Sequence, residues 1–154
     1  METLNMNFFP IKQVPDKFFG EFKSAEIEGL NAYLTAKGLP YLLRKIIGHF
    51  SFSKRYHKNT DGTYSFGTVI AKKEIKCDHV NLGEPIYIKG IGGTNLKITF
   101  SYDEIFEVLF ESIEFPDDDT LQTEIHCYYF EKDKLILRTE VNDVTLKTVY
   151  KRIS

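Results

Sequence analysis

Residues 131–152 read EKDKLILRTEVNDVTLKTVYKR and contain the clearest periodic pattern of the chain. Apolar or hydroxyl-bearing side chains stand at every second position on both sides of Asn142-Asp143; they are Leu135, Leu137, Thr139 and Val141, then Leu146, Thr148 and Tyr150. This alternation is the repeat of a β-strand with one buried face. Asn and Asp tolerate the backbone of a tight turn. The segment therefore predicts two antiparallel strands joined by a hairpin.

The inward face of these strands carries polar groups. Thr148 and Tyr150 share that face in the last strand, and His126, Tyr128 and Phe130 share one face of an earlier predicted strand. In a filled core, each hydroxyl or imidazole left unpaired would cost about 1 to 3 kcal/mol. A barrel that encloses water and a ligand headgroup satisfies such groups. We therefore expect a barrel interior and not the packed core of a sandwich.

Short strands separated by turn residues continue this pattern back to about Phe50. Their spacing of about 8 to 12 residues is typical of an all-β barrel or sandwich. One strand is evident where Leu96, Ile98, Phe100 and Tyr102 share a face. The turns are predicted at Asn59–Gly62, Asn81–Gly83, Gly90–Gly93, Pro116–Asp119, Lys132-Asp133 and Asn142-Asp143.

The first third of the chain has a different character. Residues 1–16 show no period and contain two prolines, which predicts a poorly ordered extension outside the main domain at 17–154. A short first strand is expected over Phe18–Ser24. Ser24 is then the expected N-cap of a helix with Ile27 and Leu30 inward, and Gly38 ends it. A second helix from Pro40 to Gly48 completes a helical lid at about 25–48.

Composition excludes several classes of function. The 154 residues carry 20 Lys and Arg against 22 Asp and Glu, so the chain lacks the positive charge that a nucleic acid backbone requires. Hydrophobic residues make up 42% and charged residues 27%, as in one globular domain. No apolar run approaches the roughly 20 residues of a membrane-spanning helix, and the N-terminus has no basic leader. These features predict a soluble, cytoplasmic protein.

Enzyme and metal motifs are absent from the sequence. It contains no Gly-x-Ser-x-Gly elbow, phosphate-binding glycine loop or His-Glu-x-x-His pair. Cys77 and Cys127 match no metal spacing, which favours free thiols and leaves one disulfide between them as the alternative. Asp117–Asp119 supplies too few oxygens for Ca²⁺ and predicts a hairpin tip. We expect no catalysis, cofactor or metal.

The order of elements, a strand, two helices and a long antiparallel meander, resembles the intracellular lipid-binding proteins, the fatty-acid-binding and retinoid-binding family. Several short motifs carry the resemblance, although Phe22 stands where the family usually has Trp. The matching segments are Gly20–Lys23, Tyr33–Gly38, Arg44, Asn81–Gly83, Asp133–Leu137 and Tyr150–Ile153. Their order and spacing match nearly everything from Phe18 onward.

The resemblance implies a ten-stranded antiparallel up-and-down barrel of clam shape, capped by the helix-turn-helix lid. It also implies reversible, non-catalytic binding and transport of a long-chain fatty acid or related hydrophobic lipid inside a monomer. The stretch from Gly90 to Thr120 is longer than in typical vertebrate members, and with the N-terminal extension this looks like the divergent invertebrate branch. Since some of that branch is secreted, secretion is the alternative to the cytoplasm.

Two arginines that the family uses to hold a carboxylate are missing. The last-strand Arg-x-Tyr aligns with Thr148-Val149-Tyr150, and the second arginine aligns with Tyr128. A bidentate clamp on a carboxylate is then not available. The ligand is either an acid held more weakly or a neutral lipid. Arg138 faces inward only if the register shifts by one, which its alternation with Leu137 and Thr139 opposes.

The resemblance suggests a headgroup site at Tyr150, Thr148, Tyr128 and His126. The alternative for the first three is a polar network around internal water, and for His126 a structural hydrogen bond. Chain contacts are expected from Leu137 on the barrel wall and from the first helix, whose residues could instead pack the lid; the helix residues are Leu30, Tyr33 and Leu34.

Two further expectations concern partners. Arg44 and Lys45, with Lys72 and Lys73, form a basic collar at the mouth that supports transient contact with membrane surfaces, unless they are ordinary surface charges. The alternative function is a protein-interaction or signalling module on a barrel with a vestigial cavity. An enzyme using His126 has the least support.

Overall fold

The computed structural model describes residues 13–154 as one ten-stranded antiparallel sheet with two short helices. Strands that are consecutive in the chain are neighbours in the sheet, with the exception of the fourth and fifth strands, and the first strand pairs with the last. The strands are β1 (Gly20–Glu28), β2 (Phe52–Lys58), β3 (Tyr64–Ile70), β4 (Lys73–Val80), β5 (Ile86–Lys89), β6 (Asn95–Asp103), β7 (Val108–Glu114), β8 (Glu124–Glu131), β9 (Lys134–Val141) and β10 (Val144–Arg152).

The sheet is a nearly closed barrel. Every pair of neighbouring strands is antiparallel, and β4 and β5 are the two ends of the hydrogen-bonded order. The Asn81–Gly83 turn lies beside this gap, where the Gly83 N–H donates to the Phe100 carbonyl oxygen at 2.8 Å. The predicted fold class is confirmed, and all six predicted turns connect strands.

The predicted start of the first helix was wrong. Strand β1 continues to Glu28 and pairs with β10, so α1 covers only Leu30–Ala36. Ser24 is therefore no N-cap; its hydroxyl accepts the Phe52 N–H at 3.0 Å. Residues 24–28 have no strong strand signal of their own, and pairing with β10 decides their conformation. Gly29 turns the chain with a φ of 80°.

The lid consists of α1 and α2 (Tyr41–Ile47). Gly38, with a φ of 85°, follows α1 as predicted, and Pro40 immediately precedes α2. Helix α2 has no buried residue, and Tyr41, Leu42, Leu43 and Ile46 are each at least 45% exposed. The helix therefore presents apolar side chains to solvent, which is the reverse of an ordinary amphipathic packing.

The predicted extension over residues 1–16 falls mostly outside the described residues. Of its last four, Val14 is buried and its N–H donates to the Tyr64 hydroxyl at 3.2 Å. A 3₁₀ turn follows at Asp16–Phe18 and places Phe18 under the barrel, edge-on to Tyr102 and Phe130. These residues close the end of the barrel opposite the lid.

The strand faces follow the sequence alternation. Ile98, Phe100 and Tyr102 of β6 are buried inside, and Leu135 and Leu137 of β9 join the same core. Arg138 is exposed on the outer face, as the alternation predicted. Both cysteines are free thiols. No helix among residues 13–154 has the length and apolarity needed to cross a bilayer.

Candidate functional site

Three predicted site residues form one row across neighbouring strands. Leu137 of β9 pairs with Tyr128 of β8 on one side and with Thr148 of β10 on the other. All three side chains are buried, as is Tyr150, two residues further along β10. The inward face of β8, β9 and β10 thus brings two phenol groups and one hydroxyl group together, as the sequence predicted.

His126 lies between two carboxylates on the same inner surface. Its Nε2 atom is 3.4 Å from Glu124 Oε1, and its Nδ1 atom is 3.6 Å from Glu111 Oε1. The imidazole is 17% exposed. It therefore links the polar groups below the lid with those deeper in the barrel. The sequence analysis gave His126 two possible roles, a structural hydrogen bond and a contact to the ligand headgroup, and this arrangement is compatible with both.

Glu111 of β7 is a polar interior residue that the sequence reasoning missed. Its Oε1 atom accepts a hydrogen bond from the Tyr128 hydroxyl at 3.0 Å. Burial and then the charge of Glu111 raise the pKa values of Tyr56, Tyr128 and Tyr150. The three phenols stay neutral at physiological pH, so each can donate a hydrogen bond.

Lys54 of β2 is the second missed residue. It is 5% exposed, and its Nζ atom donates to Thr68 Oγ1 at 2.9 Å. The same atom lies 5.2 Å from the centre of the Tyr128 ring, within the range of a cation–π contact. The interior therefore contains a buried amine on the strands opposite β8. The one signal in the sequence was its position, two residues from Tyr56 on an alternating strand.

Helix α1 is fastened to β8 by polar contacts. The Tyr33 hydroxyl donates to Glu124 Oε1 at 2.8 Å, and Lys37 Nζ lies 3.0 Å from Glu124 Oε2. Burial alone would raise the pKa of Glu124, but the hydrogen bond with His126 and the charge of Lys37 outweigh it and lower the pKa to about 2. Glu124 is therefore a carboxylate at neutral pH.

The three residues of α1 that were predicted to contact the acyl chain differ in how deeply they are buried. Leu34 is buried and Leu30 is half-buried, whereas the ring of Tyr33 is buried with its hydroxyl committed to Glu124. Tyr33 thus packs the lid, while Leu30 and Leu34 remain predicted chain contacts.

A cleft of about 300 Å³ lies beside α1 and reaches Glu124. It is bounded by the end of the helix, the β7–β8 connection and the β9–β10 turn; its lining includes Ala36, Leu39, Phe115, Leu121 and Asn142. Because one wall is helix and another is loop, the cleft is a candidate entrance to the interior. The Thr139 hydroxyl, buried near the same end of β9, has no hydrogen-bond partner among the described residues.

Metal binding has no support in the described part of the chain. No group of three His, Cys, Asp or Glu side chains there could hold an ion. In the Asp117–Asp119 tip, Asp118 Oδ1 accepts from the backbone and hydroxyl of Thr120, and Asp117 accepts from Asn95. These carboxylates serve the hairpin connection, as predicted.

A nearly closed ten-strand barrel with a helical lid and inward polar groups defines the class of lipid-binding barrels. Fatty acid-binding protein homolog 1 of Caenorhabditis elegans is 30% identical over 141 residues, covering 91% of this chain and 87% of the relative. Homolog 2 of the same organism is 29% identical over 143 residues, covering 92% and 88%. No protein-family model matches the chain.

The structural comparison agrees with the sequence comparison. As-p18, described as an extracellular fatty acid binding protein, superimposes with a TM-score of 0.84 at 28% identity, covering 92% of this chain and 99% of that one. The chain belongs to the fatty-acid-binding protein family. The predicted resemblance to a divergent invertebrate member is confirmed.

Proposed function

We propose that this protein binds one long-chain fatty acid or related lipid inside the barrel and carries it without catalysis. The observation that carries the proposal is the row of Tyr128, Leu137 and Thr148, which places polar and apolar groups side by side on the inner wall. Burial of the chain drives binding at about 25 cal/mol per Å² of apolar surface, and the polar groups orient the head. Relatives named as fatty acid-binding proteins support the same function.

The proposed headgroup site consists of Tyr150, Thr148, Tyr128 and His126. The Tyr150 and Thr148 hydroxyls can donate hydrogen bonds to a carboxylate and to an ester or alcohol alike, whereas the Tyr128 hydroxyl donates to Glu111. Leu137, Leu30 and Leu34 are the proposed contacts of the acyl chain. Tyr33 takes part through the lid, since its hydroxyl bonds Glu124.

Displacement of a fluorescent fatty-acid analogue by oleic acid tests the carrier function. We expect saturable binding of one analogue per chain and its complete displacement. Native mass spectrometry of the purified protein adds a second measurement, because a carrier copurifies with lipid. An interaction module with a vestigial cavity would bind neither the analogue nor oleic acid, and that result would replace the carrier proposal.

Helix α2 supports transient contact with membranes during transfer. Its exposed apolar side chains stand beside Arg44 and Lys45, whose cationic groups lie 5.6 and 5.4 Å from the centre of the Tyr41 ring. Apolar side chains flanked by positive charge suit an anionic bilayer surface. Lys72 and Lys73 are exposed at the β3–β4 turn and add positive charge to the chain's surface.

A monomeric, cytoplasmic carrier remains our proposal for the state and location of the protein. The two free thiols agree with a reducing compartment, whereas As-p18 is described as extracellular. Detection of the native protein in secreted fluid, by an antibody, would support secretion instead.

A further inference from the structure

Lys54 occupies an inward position at the middle of β2. In the register of the sheet, Lys54 pairs with Phe22 on β1 and with Thr68 on β3. Only 5% of the residue is exposed to solvent. A buried ammonium group is costly unless it is paired and hydrogen-bonded. The partners of Lys54 therefore show whether the site is complete.

The bonding of the ammonium group is incomplete. It has three N–H donors, and its hydrogen bond is to the hydroxyl of Thr68. Among the described residues, no carboxylate oxygen lies within 4.0 Å of Nζ. The face of the Tyr128 ring supplies a further, weaker contact. A buried amine with unused donors and no carboxylate in contact is suited to an anion that comes from outside the chain.

Glu111 is the internal acid that acts on Lys54, but its carboxylate is engaged elsewhere. Oε1 accepts the Tyr128 hydroxyl and lies near His126. Burial lowers the pKa of Lys54, whereas the charges of Glu111 and Cys77 oppose this effect. A ligand carboxylate in contact with Nζ would favour the charged form further. Glu111 thus favours the protonated amine without contacting it.

We propose that Lys54 Nζ binds the carboxylate of the ligand and makes the barrel selective for anionic lipids over neutral lipids of the same chain length. The role belongs to β2, on the side of the barrel facing Tyr128. The Tyr56 ring packs edge-on to the Tyr128 ring with 5.9 Å between the ring centres, so both rings belong to the surroundings of this point. This inference rests on the proposed function.

Binding of oleic acid and oleyl alcohol to the Lys54→Met variant tests the assignment. Methionine fills similar space without charge, so the alcohol should bind as in the wild type. Loss of a charge-assisted hydrogen bond should weaken oleate by about ten- to a hundredfold. Retained binding of the alcohol also shows that the variant folds. Lys54→Arg keeps the charge and should retain the preference for the acid.

Lys23→Met is the matched control, because Lys23 is exposed on β1 and pairs with Ser53, the residue before Lys54. It should leave both affinities unchanged. Equal weakening of acid and alcohol by Lys54→Met, or no change in either, would overturn the assignment while the carrier function stands. A wild type that binds neither ligand would instead remove the proposed function itself.

Carbon-13 NMR of bound oleate labelled at the carboxyl carbon gives an independent readout. Beside Lys54, the bound acid should remain ionised to a lower pH than in the Lys54→Met variant. The titratable groups that act on Lys54 are Glu111 and Cys77, and the Tyr128 ring faces its amine. Tyr56, Tyr150 and His126 lie around Glu111, and all six groups are present in both proteins. Identical titration of bound oleate in the two proteins would contradict contact with Nζ.

Discussion

The hydroxyl of Tyr33 donates a 2.8 Å hydrogen bond to Glu124, 91 residues further along the chain. Lys37, the residue directly after α1, lies 3.0 Å from the other oxygen of the same carboxylate. Glu124 is the first residue of β8 and lines the cleft beside the helix. A single carboxylate therefore fastens the lid at the candidate entrance, and its contact with His126 continues into the barrel.

Replacing Glu124 with glutamine should loosen the lid. The amide keeps the shape of the side chain but removes the ion pair with Lys37 and weakens the bond with Tyr33, at a cost of about 1 to 2 kcal/mol. We expect bound fatty acid to dissociate about 5 to 30 times faster in a stopped-flow measurement. Glu131→Gln, at the other end of β8 and more exposed, is the control and should dissociate at the wild-type rate.

An unchanged dissociation rate in Glu124→Gln would show that the ligand leaves by another route. Tyr33→Phe provides a second variant, because it removes the hydrogen bond and keeps the buried ring. Its dissociation rate should lie between those of the wild type and Glu124→Gln.

The same carboxylate should make stability depend on pH. The pKa of Glu124 falls from 4.5 to about 2 on folding, so its stabilising effect is fully present above pH 4.5 and is lost as the pH falls through 2. This shift in pKa corresponds to a contribution of Glu124 to the free energy of unfolding on the order of 3 kcal/mol. Urea unfolding of the wild type and Glu124→Gln should differ most at neutral pH and converge toward pH 2. A constant difference across this range would exclude Glu124 as the source.

The sequence predicted strands and turns better than it predicted interior charge. Alternation identified the inward faces of β6, β9 and β10, because a half-buried strand repeats every two residues. Lys54 lies in Ser53-Lys54-Arg55-Tyr56, where a lysine is normally assigned to the solvent face. Its spacing of two residues from Tyr56 is compatible with the inner face, but the pairing of β2 with β3, which sets Lys54 opposite Thr68, is what establishes that position.

Two connections also lacked a usable signal. The β3–β4 turn consists of Ala71 and Lys72 with φ values of 49° and 68°, although neither residue type favours that conformation. The β6–β7 turn contains Ile105 and Phe106, which resemble a strand in sequence. Asp103 Oδ1 accepts both of their N–H groups and stabilises the turn.

Tyr150→Phe should discriminate between acidic and neutral ligands. The change removes a buried hydroxyl next to the proposed headgroup and leaves the ring in place. A hydrogen bond to a charged acceptor is stronger than one to a neutral acceptor, so oleate should weaken about tenfold and oleyl alcohol about threefold. Isothermal titration calorimetry with both ligands measures the ratio. Equal effects would remove Tyr150 from the headgroup site.

Leu42→Ser should slow the delivery of fatty acid to membranes without changing its affinity. Leu42 is 69% exposed on α2, so the substitution removes apolar surface that a bilayer could bury. We expect transfer to anionic vesicles to slow about tenfold and to slow further as salt rises. Ile105→Ser is the control, since Ile105 is 87% exposed at the opposite end of the barrel. A similar slowing in both variants would argue against a specific role for α2.

Gly29→Ala should destabilise the junction between β1 and α1 more than Gly38→Ala destabilises the end of the helix. Both glycines have a positive φ, which costs alanine about 1 to 2 kcal/mol. A Cβ atom at Gly29 would also stand 2.5 Å from the Thr145 carbonyl oxygen, whereas one at Gly38 would have no neighbour within 4 Å.

Relief of that contact requires β1 and β10 to separate locally, at a further cost of about 1 to 3 kcal/mol. Chemical denaturation should therefore rank the wild type above Gly38→Ala and Gly38→Ala above Gly29→Ala. Equal free energies of unfolding for the two variants would mean that the chain can leave β1 without the close approach to Thr145. In that case the helix could begin earlier than Leu30, as the sequence pattern first suggested.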